Sequence, residues 1–439
     1  MEYITIQDAA ERWGISERRI QVLCSEGRLK GAVKFGRQWA IPSDTNKPDD
    51  ARIKSGKYIK HSVGNTEQGV NYMQRKPPVI FSFFSGSGFL DLGFETHGFL
   101  IDLVNEFQPA FLDAYKYARN RMGLRTPKYG YFNIDINEFL GSRKDELHSY
   151  IEKSRLEGHM VGFIGGPPCP DFSVAGKNKG REGDNGKLSK SYVDLIVEMQ
   201  PDFFLFENVK GLWRTARHRA FFEELKTELV AAKYETTERL TNALEYGAPQ
   251  DRDRILLFGI KRDFLGKASV SDFGWKKYQS YDLETIKKIK WPDVDPFVPD
   301  SITECPAEVI KEITVQYWFE KNDVENHPNA SDYFIPRTGL ARMQTINEGD
   351  VSKKSYKRLH RWRFSPTVAY GNNEVHLHPY RVRRISAAEA MALQSLPKAF
   401  ALPPKMTLSN KFKTIGNGVP YALSSGIACT IMDFLEGLK

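Results

Sequence analysis

The chain has 439 residues, of which 41% are hydrophobic, 12% aromatic and 27% charged. That balance excludes a disordered chain, a disulfide-stapled miniprotein and a fibrous repeat, and it leaves room for up to about three folded domains. Lys and Arg number 63 against 55 Asp and Glu, a net charge of +8 that suits an acidic polymer as partner. The four cysteines, Cys24, Cys169, Cys305 and Cys429, form no C-x-x-C pair. This argues against a zinc site or a disulfide framework and for a reducing compartment. The start, Met1-Glu2-Tyr3-Ile4, lacks the features of a secretory signal, and there is no run of about 18 apolar residues. A cytoplasmic location without a membrane partner is therefore expected.

Half of the positive charge lies in residues 1–60, which carry 12 basic and 8 acidic side chains. Thr5-Ile6-Gln7-Asp8 reads as a capping box opening a short helix that places Ala9, Ala10 and Trp13 on one side and stops at Gly14. Ser16 opens a second helix with Ile20, Val22 and Leu23 inward, ended by Gly27. Residues 29–33 and 37–41 flank Phe35-Gly36 as a hairpin. Helix, turn, helix and wing resembles the excisionase-type winged helix-turn-helix family. The resemblance assigns Arg18, Arg19 and Gln21 to the major groove and Lys34 and Arg37 to the wing. A helical pair used for protein contacts is the competing reading.

Residues 43–78 are polar, with Asn46-Lys47-Pro48-Asp49-Asp50 early and Pro77-Pro78 at the end. They read as a linker, so the domains are expected as 1–60, a linker at 61–78, and a catalytic region from 79. Beyond it, apolar runs alternate with helical stretches: Val79 to Phe84, a helix to His97, Ile101 to Val104, a helix from Pro109 to Arg121, Val161 to Ile164, a helix to Gln200, Phe203 to Phe206, and Arg254 to Ile260. This alternation predicts a doubly wound α/β fold with a parallel sheet, its ligands at the carboxyl ends of the strands.

Three of those ends carry chemistry. Phe84-Ser85-Gly86-Ser87-Gly88 follows the first strand, and Glu106 ends the next, twenty residues after Gly86. Glycines admit a cofactor close to the backbone, and a carboxylate there can accept both hydroxyls of a ribose. In Gly165-Gly166-Pro167-Pro168-Cys169-Pro170, two prolines ahead of a cysteine make a rigid loop that holds one thiol in place. Cys24 and Cys429 read as structural cysteines, and Cys305, beside Pro306, as inert. Phe206-Glu207-Asn208-Val209 puts a carboxylate at the next strand end, able to share a proton with a ligand. Gln250-Asp251-Arg252-Asp253-Arg254 adds two arginines on one side of the last strand. Surface pairs with Asp251 and Asp253 are the alternative for them.

These motifs, together with Gly416-Asn417-Gly418-Val419-Pro420, resemble in kind and order the DNA cytosine-5 methyltransferase family over residues 79–261 and about 357–439. The resemblance implies a Rossmann-like methyltransferase sheet, a target-recognition domain at 262–377, and a C-terminal part, 378–439, that completes the catalytic domain. It also implies S-adenosyl-L-methionine as cofactor, cradled by Phe84, Ser85, Gly86 and Gly88, with Glu106 on its ribose and Phe107 on its adenine. Asp135 and Ile136 would meet the adenine edge, and Asn417 and Val419 would close the pocket. Cys169 would be the nucleophile adding to C6 of a flipped-out cytosine. Glu207 would act at N3, and Arg254, with Arg252, near O2 or on the loop. The stretch Lys177 to Lys190 would be a lid.

The chain departs from the family pattern at Ser82, where Asp is common, at Phe89, where Gly is common, and at Pro170, where Gln is common. Between residues 353 and 363 six of eleven side chains are Lys or Arg. Phosphate contacts would suit Lys353, Lys354, Lys357, Arg358, Arg361 and Arg363, with Arg381 to follow. His376 and His378 read as structural, so no metal site is expected.

The sequence thus predicts site-specific methylation of cytosine C5 in duplex DNA, beside a cognate restriction endonuclease in a prokaryotic or phage setting, with the enzyme nucleoid-associated. One alternative is a transcriptional regulator whose N-terminal domain binds operator DNA, its own promoter included. The other is an RNA cytosine-5 methyltransferase.

Overall fold

A computed structural model describes residues 3–13, 17–25, 29, 31–35, 38–43 and 45, and then 76–168, 184–336, 339–368, 370 and 374–438. The chain divides into two compact units, Met1–Met73 and Gln74–Lys439.

In the first unit, strand β1 (Tyr3–Ile4) leads into helices α1 (Ile6–Trp13) and α2 (Glu17–Ser25), followed by β2 (Val33–Phe35) and β3 (Gln38–Pro42). The expected capping box forms: Asp8 N–H donates to Thr5 Oγ1 at 3.2 Å, and Thr5 N–H donates to Asp8 at 3.0 Å. Ala9, Trp13, Ile20, Leu23 and Cys24 are buried together with Ile41. The hairpin register pairs Val33 with Ala40, and β1 adds a third strand beside β3 that the sequence did not signal.

The second unit is built on seven strands: β4 (Val79–Phe83), β5 (Leu100–Asn105), β6 (Gly130–Phe132), β7 (Val161–Gly165), β8 (Phe203–Val209), β9 (Tyr234–Asn242) and β10 (Asp253–Lys261). They lie in the order β6-β5-β4-β7-β8-β10-β9. Those from β6 to β8 are parallel, whereas β10 runs antiparallel to both β8 and β9. The sheet is therefore mixed and not wholly parallel, and the reversal matters: only an antiparallel β10 begins at the edge where the parallel strands end. A parallel last strand would have carried Arg252 and Arg254 to the opposite edge.

Both faces of the sheet are covered, which is why its central strands read as unbroken apolar runs. Helices α3 (Phe89–Glu95) and α4 (Pro109–Met122) come first in this unit, and Phe81, Phe83, Phe163 and Phe204 pack under α5 (Lys144–Leu156), α6 (Asp184–Met199) and α7 (Ala216–Ala231). Ile80, Ile101, Ile164, Leu205 and Phe258 face the other way, onto the last helix. The C-terminal segment supplies α8 (Ala387–Leu393), α9 (Leu408–Asn417) and α10 (Tyr421–Gly437). Leu408–Gly437 is apolar and long enough to cross a membrane by composition. It is two helices, however, and Leu423, Ile427, Ile431 and Phe434 are buried against the sheet. At Gly93 the helices α3 and α10 approach so closely that a β-carbon would stand 2.1 Å from Ser424 Oγ.

Candidate active site

The carboxyl ends of β4, β5, β7 and β8 and the start of β10 open into one cleft of about 1650 Å³, which α9 and the turn after it close. Phe84, Ser85, Gly86, Glu106, Phe107, Asp135, Ile136, Asn417 and Val419, the residues expected around the cofactor, all line it.

The turn after β4 is sharply bent, with positive φ at Phe84 (53°), Gly86 (56°) and Gly88 (78°). At Gly86 the nearest atom to an added β-carbon would be Thr414 Oγ1 at 4.0 Å, so its bare backbone faces open space. Glu106 fastens the turn to β5: its carboxylate accepts the Gly86 N–H at 2.8 Å and the Gln108 N–H at 2.7 Å. Burial pushes the Glu106 carboxyl up, against the lowering effect of those two N–H groups. Asn133 donates to the Glu106 and Phe107 carbonyls at 2.7 and 2.8 Å, which leaves the Phe107 ring 61% exposed as a flat apolar face. Asp135 caps the turn that begins at Ile136 by accepting the Asn137 N–H at 2.8 Å.

Gly88 is a correction. It does not line the cleft but faces inward, where a β-carbon would stand 2.4 Å from both Arg119 Nη1 and Tyr115 Cε2. Its missing side chain makes room for those two residues.

On the other side of the cleft Glu207 Oε1 accepts from Arg254 Nε at 2.7 Å, with both side chains nine-tenths buried. Arg254 pairs in register with Val209, so it lies diagonally across from Glu207 on the same face of the sheet. Gly166 makes space for the pair, since a β-carbon there would stand 2.6 Å from Glu207 Oε2. Cys169 and Pro170 lie outside the described residues, as do 171–183. Pro167 and Pro168, just ahead of the cysteine, line the cleft. Of the expected lid, the part from Asp184 onward is the start of α6.

Arg252 does different work from Arg254. It is buried, donating to the Val368 carbonyl at 2.9 Å and the Gly416 carbonyl at 2.8 Å. With Gln394, which donates to the Ile415 carbonyl at 2.5 Å, it stitches the end of α9 to the sheet. Ser87 and Thr414 hydroxyls meet across the same seam at 2.7 Å.

The sequence missed Arg214 and Lys413, which line the cleft, and Lys210, which lines it while paired with Asp253 at 2.7 Å; Lys187, within the expected lid, lines it as well. Isolated basic residues outside a run carried no signal.

Among the expected DNA contacts, Gln21 and Lys34 are exposed, Lys34 lying 5.7 Å over the Trp39 ring. Arg37 and the side chains of Arg18 and Arg19 lie outside the described residues. Lys353 and Lys354 are exposed, Lys354 bridging to Glu374 at 2.8 Å, and Lys357 lines the cleft. Arg363 is half-buried, and Arg381 pairs with Glu325. Arg358 and Arg361 are corrections. Arg358 is buried and donates to the carbonyls of Ile346 (2.8 Å), Met343 (2.5 Å), Arg381 (3.1 Å) and His378 (2.5 Å). Arg361 is buried in an ion pair with Glu348 at 2.8 Å. Both guanidiniums are consumed inside the protein. Among the described residues no His, Cys, Asp and Glu group could hold a metal ion.

The fold is that of an α/β enzyme whose cleft lies at the carboxyl ends of its parallel strands. The family described as C-5 cytosine-specific DNA methylase matches residues 79–433, and the chain belongs to it. It is thus a DNA cytosine-5 methyltransferase, of a class that uses S-adenosylmethionine and acts on duplex DNA. Type II methyltransferase M.NmeDI of Neisseria meningitidis serogroup C is 54% identical over 410 residues, 91% of this chain and 96% of its own. That share exceeds the stretch from Val79 onward, so the likeness reaches ahead of the catalytic region. Type II methyltransferase M.XorII of Xanthomonas oryzae is 33% identical, covering 82% of this chain and 85% of its own length. Among solved structures, a prophage-encoded chain from E. coli shares the fold at TM-score 0.56 and 21% identity, covering 82% of this chain and 99% of that one. The S. pombe Dnmt2 methyltransferase does so at TM-score 0.53 and 12% identity, covering 81% and 99%.

Proposed function

We propose that the chain methylates C5 of a cytosine flipped out of duplex DNA at a specific site, through a transient bond to Cys169, as the modification partner of a restriction endonuclease. The observation that carries this reading is the meeting, in one cleft, of the Gly86–Glu106 wall with the Glu207–Arg254 pair.

The cofactor wall fits S-adenosylmethionine. Gly86 leaves the backbone open, Glu106 holds a carboxylate at the strand end, and the Phe107 ring offers a stacking face for a purine. When bound, the cofactor supplies an electrophilic methyl group. Phe84, Ser85, Asp135, Ile136, Asn417 and Val419 would complete its enclosure.

C5 of cytosine is a weak nucleophile until a group adds at C6, and the Cys169 thiolate would make that addition. Negative charge then develops toward N3 and O2. Glu207 would hold a proton at N3, and Arg254, bonded to Glu207, would orient that carboxylate and face O2. Arg252 would act indirectly, by keeping Gly416 and the cofactor-closing turn against the sheet. Transfer of the C5 proton to water, with cleavage of the C6–S bond and return of Cys169 as thiolate, would restore the aromatic ring. Reaching the ring edges requires extrusion of the nucleotide, at a cost of a few kcal/mol.

The N-terminal unit would bind DNA through α2 and the hairpin, at the methylation site or at an operator. A regulator acting on its own promoter is compatible with the same module.

The test is a duplex in which the target cytosine carries fluorine at C5, incubated with enzyme and S-adenosylmethionine. The C5 substituent can no longer leave as a proton, so the thiol adduct should persist through denaturation. Loss of that adduct in Cys169→Ala supports the reading, and its absence in the wild-type protein on methylatable DNA would overturn it.

A further inference from the structure

Beneath the turn Ser85–Gly88 lies a ring of buried polar groups, of which only Ser85 belongs to the proposed cofactor enclosure. Ser85 and Ser82 hydroxyls meet at 2.8 Å, and Ser82 donates to Asp91 at 2.9 Å. Tyr115 donates to the other Asp91 oxygen at 2.9 Å, and its ring lies 3.9 Å from the Arg119 guanidinium carbon. Arg119 closes the ring by donating to the carbonyls of Ser87 at 3.1 Å and Gly88 at 2.6 Å. It also donates to Glu95 at 2.9 and 3.1 Å. Arg119 is 1% exposed. A fully buried guanidinium needs strong compensation, and this one obtains it from the turn itself and from a carboxylate at the far end of α3. Gly88 carries no β-carbon because Arg119 occupies that space.

We propose that Arg119 is a positioning residue for cofactor binding, its guanidinium clamping the Ser87 and Gly88 carbonyls so that the opposite side of the turn stays shaped for S-adenosylmethionine. The proposal rests on the assignment of that cofactor to the Gly86–Glu106 wall. Arg119 reaches no ligand itself. It acts by satisfying the carbonyls on the buried side of the turn, and Glu95 fixes the direction of the guanidinium fork. A lysine ammonium has three N–H donors on a single nitrogen and lacks the planar fork by which Nε, Nη1 and Nη2 reach Glu95, Ser87 and Gly88 separately.

The test uses the full chain with Arg119→Lys and Glu95→Gln. The readouts are the Kd for S-adenosylhomocysteine by calorimetry, the KM for S-adenosylmethionine, the kcat at saturating cofactor, the KM for DNA and the melting temperature. Arg119→Lys should raise the cofactor Kd and KM by about ten-fold or more, with kcat and the KM for DNA within about two-fold. Glu95→Gln, which leaves Arg119 a neutral acceptor, should shift cofactor affinity in the same direction by about two- to three-fold. If Arg119→Lys does not fold, Glu95→Gln decides. Cofactor affinity equal to wild type in the folded variant overturns the proposal, as does a uniform fall of all parameters alongside melting temperature. A wild-type protein that binds no S-adenosylhomocysteine would instead overturn the cofactor assignment, and this proposal with it.

Discussion

The ring of Phe89 lies against Gly418, so close that a β-carbon on Gly418 would stand 2.1 Å from its Cδ2. Phe89 opens α3 beside the cofactor turn, and Gly418 follows α9 at the far end of the sequence. The ring also meets Phe400 edge to face, 5.1 Å between centroids. Where the family commonly has glycine, this chain places a large ring, and Gly418 across the seam supplies the space.

Gly418 has φ of −65°, so Gly418→Ala carries no backbone strain and tests the contact alone. Overpacking against a buried ring should cost about 1–3 kcal/mol, read as a lowered denaturation midpoint. Phe89→Ala should cost about 3–5 kcal/mol, and in the double variant the two penalties should fall short of additive, because the ring that clashes is gone.

Gly166→Ala separates chemistry from stability. Its β-carbon would meet Glu207 Oε2 at 2.6 Å, displacing the carboxylate from where Arg254 holds it. The rate of methyl transfer should drop by about ten-fold or more, with cofactor affinity unchanged. A normal rate would mean that Glu207 works from another position.

Glu207→Gln removes the proton-holding group and leaves Arg254 buried with a neutral partner. The rate of methyl transfer under single-turnover conditions should fall about 10²–10⁴-fold while DNA is still bound. A rate within a few-fold of wild type would remove Glu207 from the chemistry.

Burial raises the Asp91 carboxyl to about 6, against the lowering effect of Arg119. A carboxyl whose folded value lies above its unfolded value takes up its proton more readily when folded. Its contribution therefore favours the folded state at low pH and is lost as pH rises from about 4 through about 6. Asp91→Asn should flatten the stability profile in that window, by roughly 1–3 kcal/mol, as measured by urea denaturation at each pH.

Much of the fold was readable because β4, β5, β7 and β8 are buried on both faces and so appear as apolar runs. β9 was not, because Tyr234–Asn242 is largely polar and half-buried along its length at the sheet edge, and the three residues of β6 are too few to show a pattern. The direction of β10 leaves no trace in its own residues. At the site, Gly86, Glu106, Glu207 and Arg254 stood out because each sits at a strand end. Arg119 did not, since Arg119-Asn120-Arg121 in a helix reads like a solvated face. Arg358 and Arg361 misled for the converse reason: their partners are Met343, Ile346, Glu348 and His378, and local sequence does not announce such pairings.

That difference is measurable. Arg361→Ala breaks a buried pair and should cost about 3–5 kcal/mol of stability while leaving the salt dependence of DNA binding unchanged. Lys357→Ala, on the cleft, should leave stability nearly untouched and reduce the slope of log affinity against log salt by about one.

Transfer of a radiolabelled methyl group from S-adenosylmethionine to unmodified duplex DNA, with transfer RNA as competitor and Cys169→Ala as control, tests substrate and nucleophile together. Label should appear at C5 of cytosine in DNA and disappear in the Cys169 variant. Label in the RNA, or label in DNA that survives loss of the thiol, would contradict the proposed reaction.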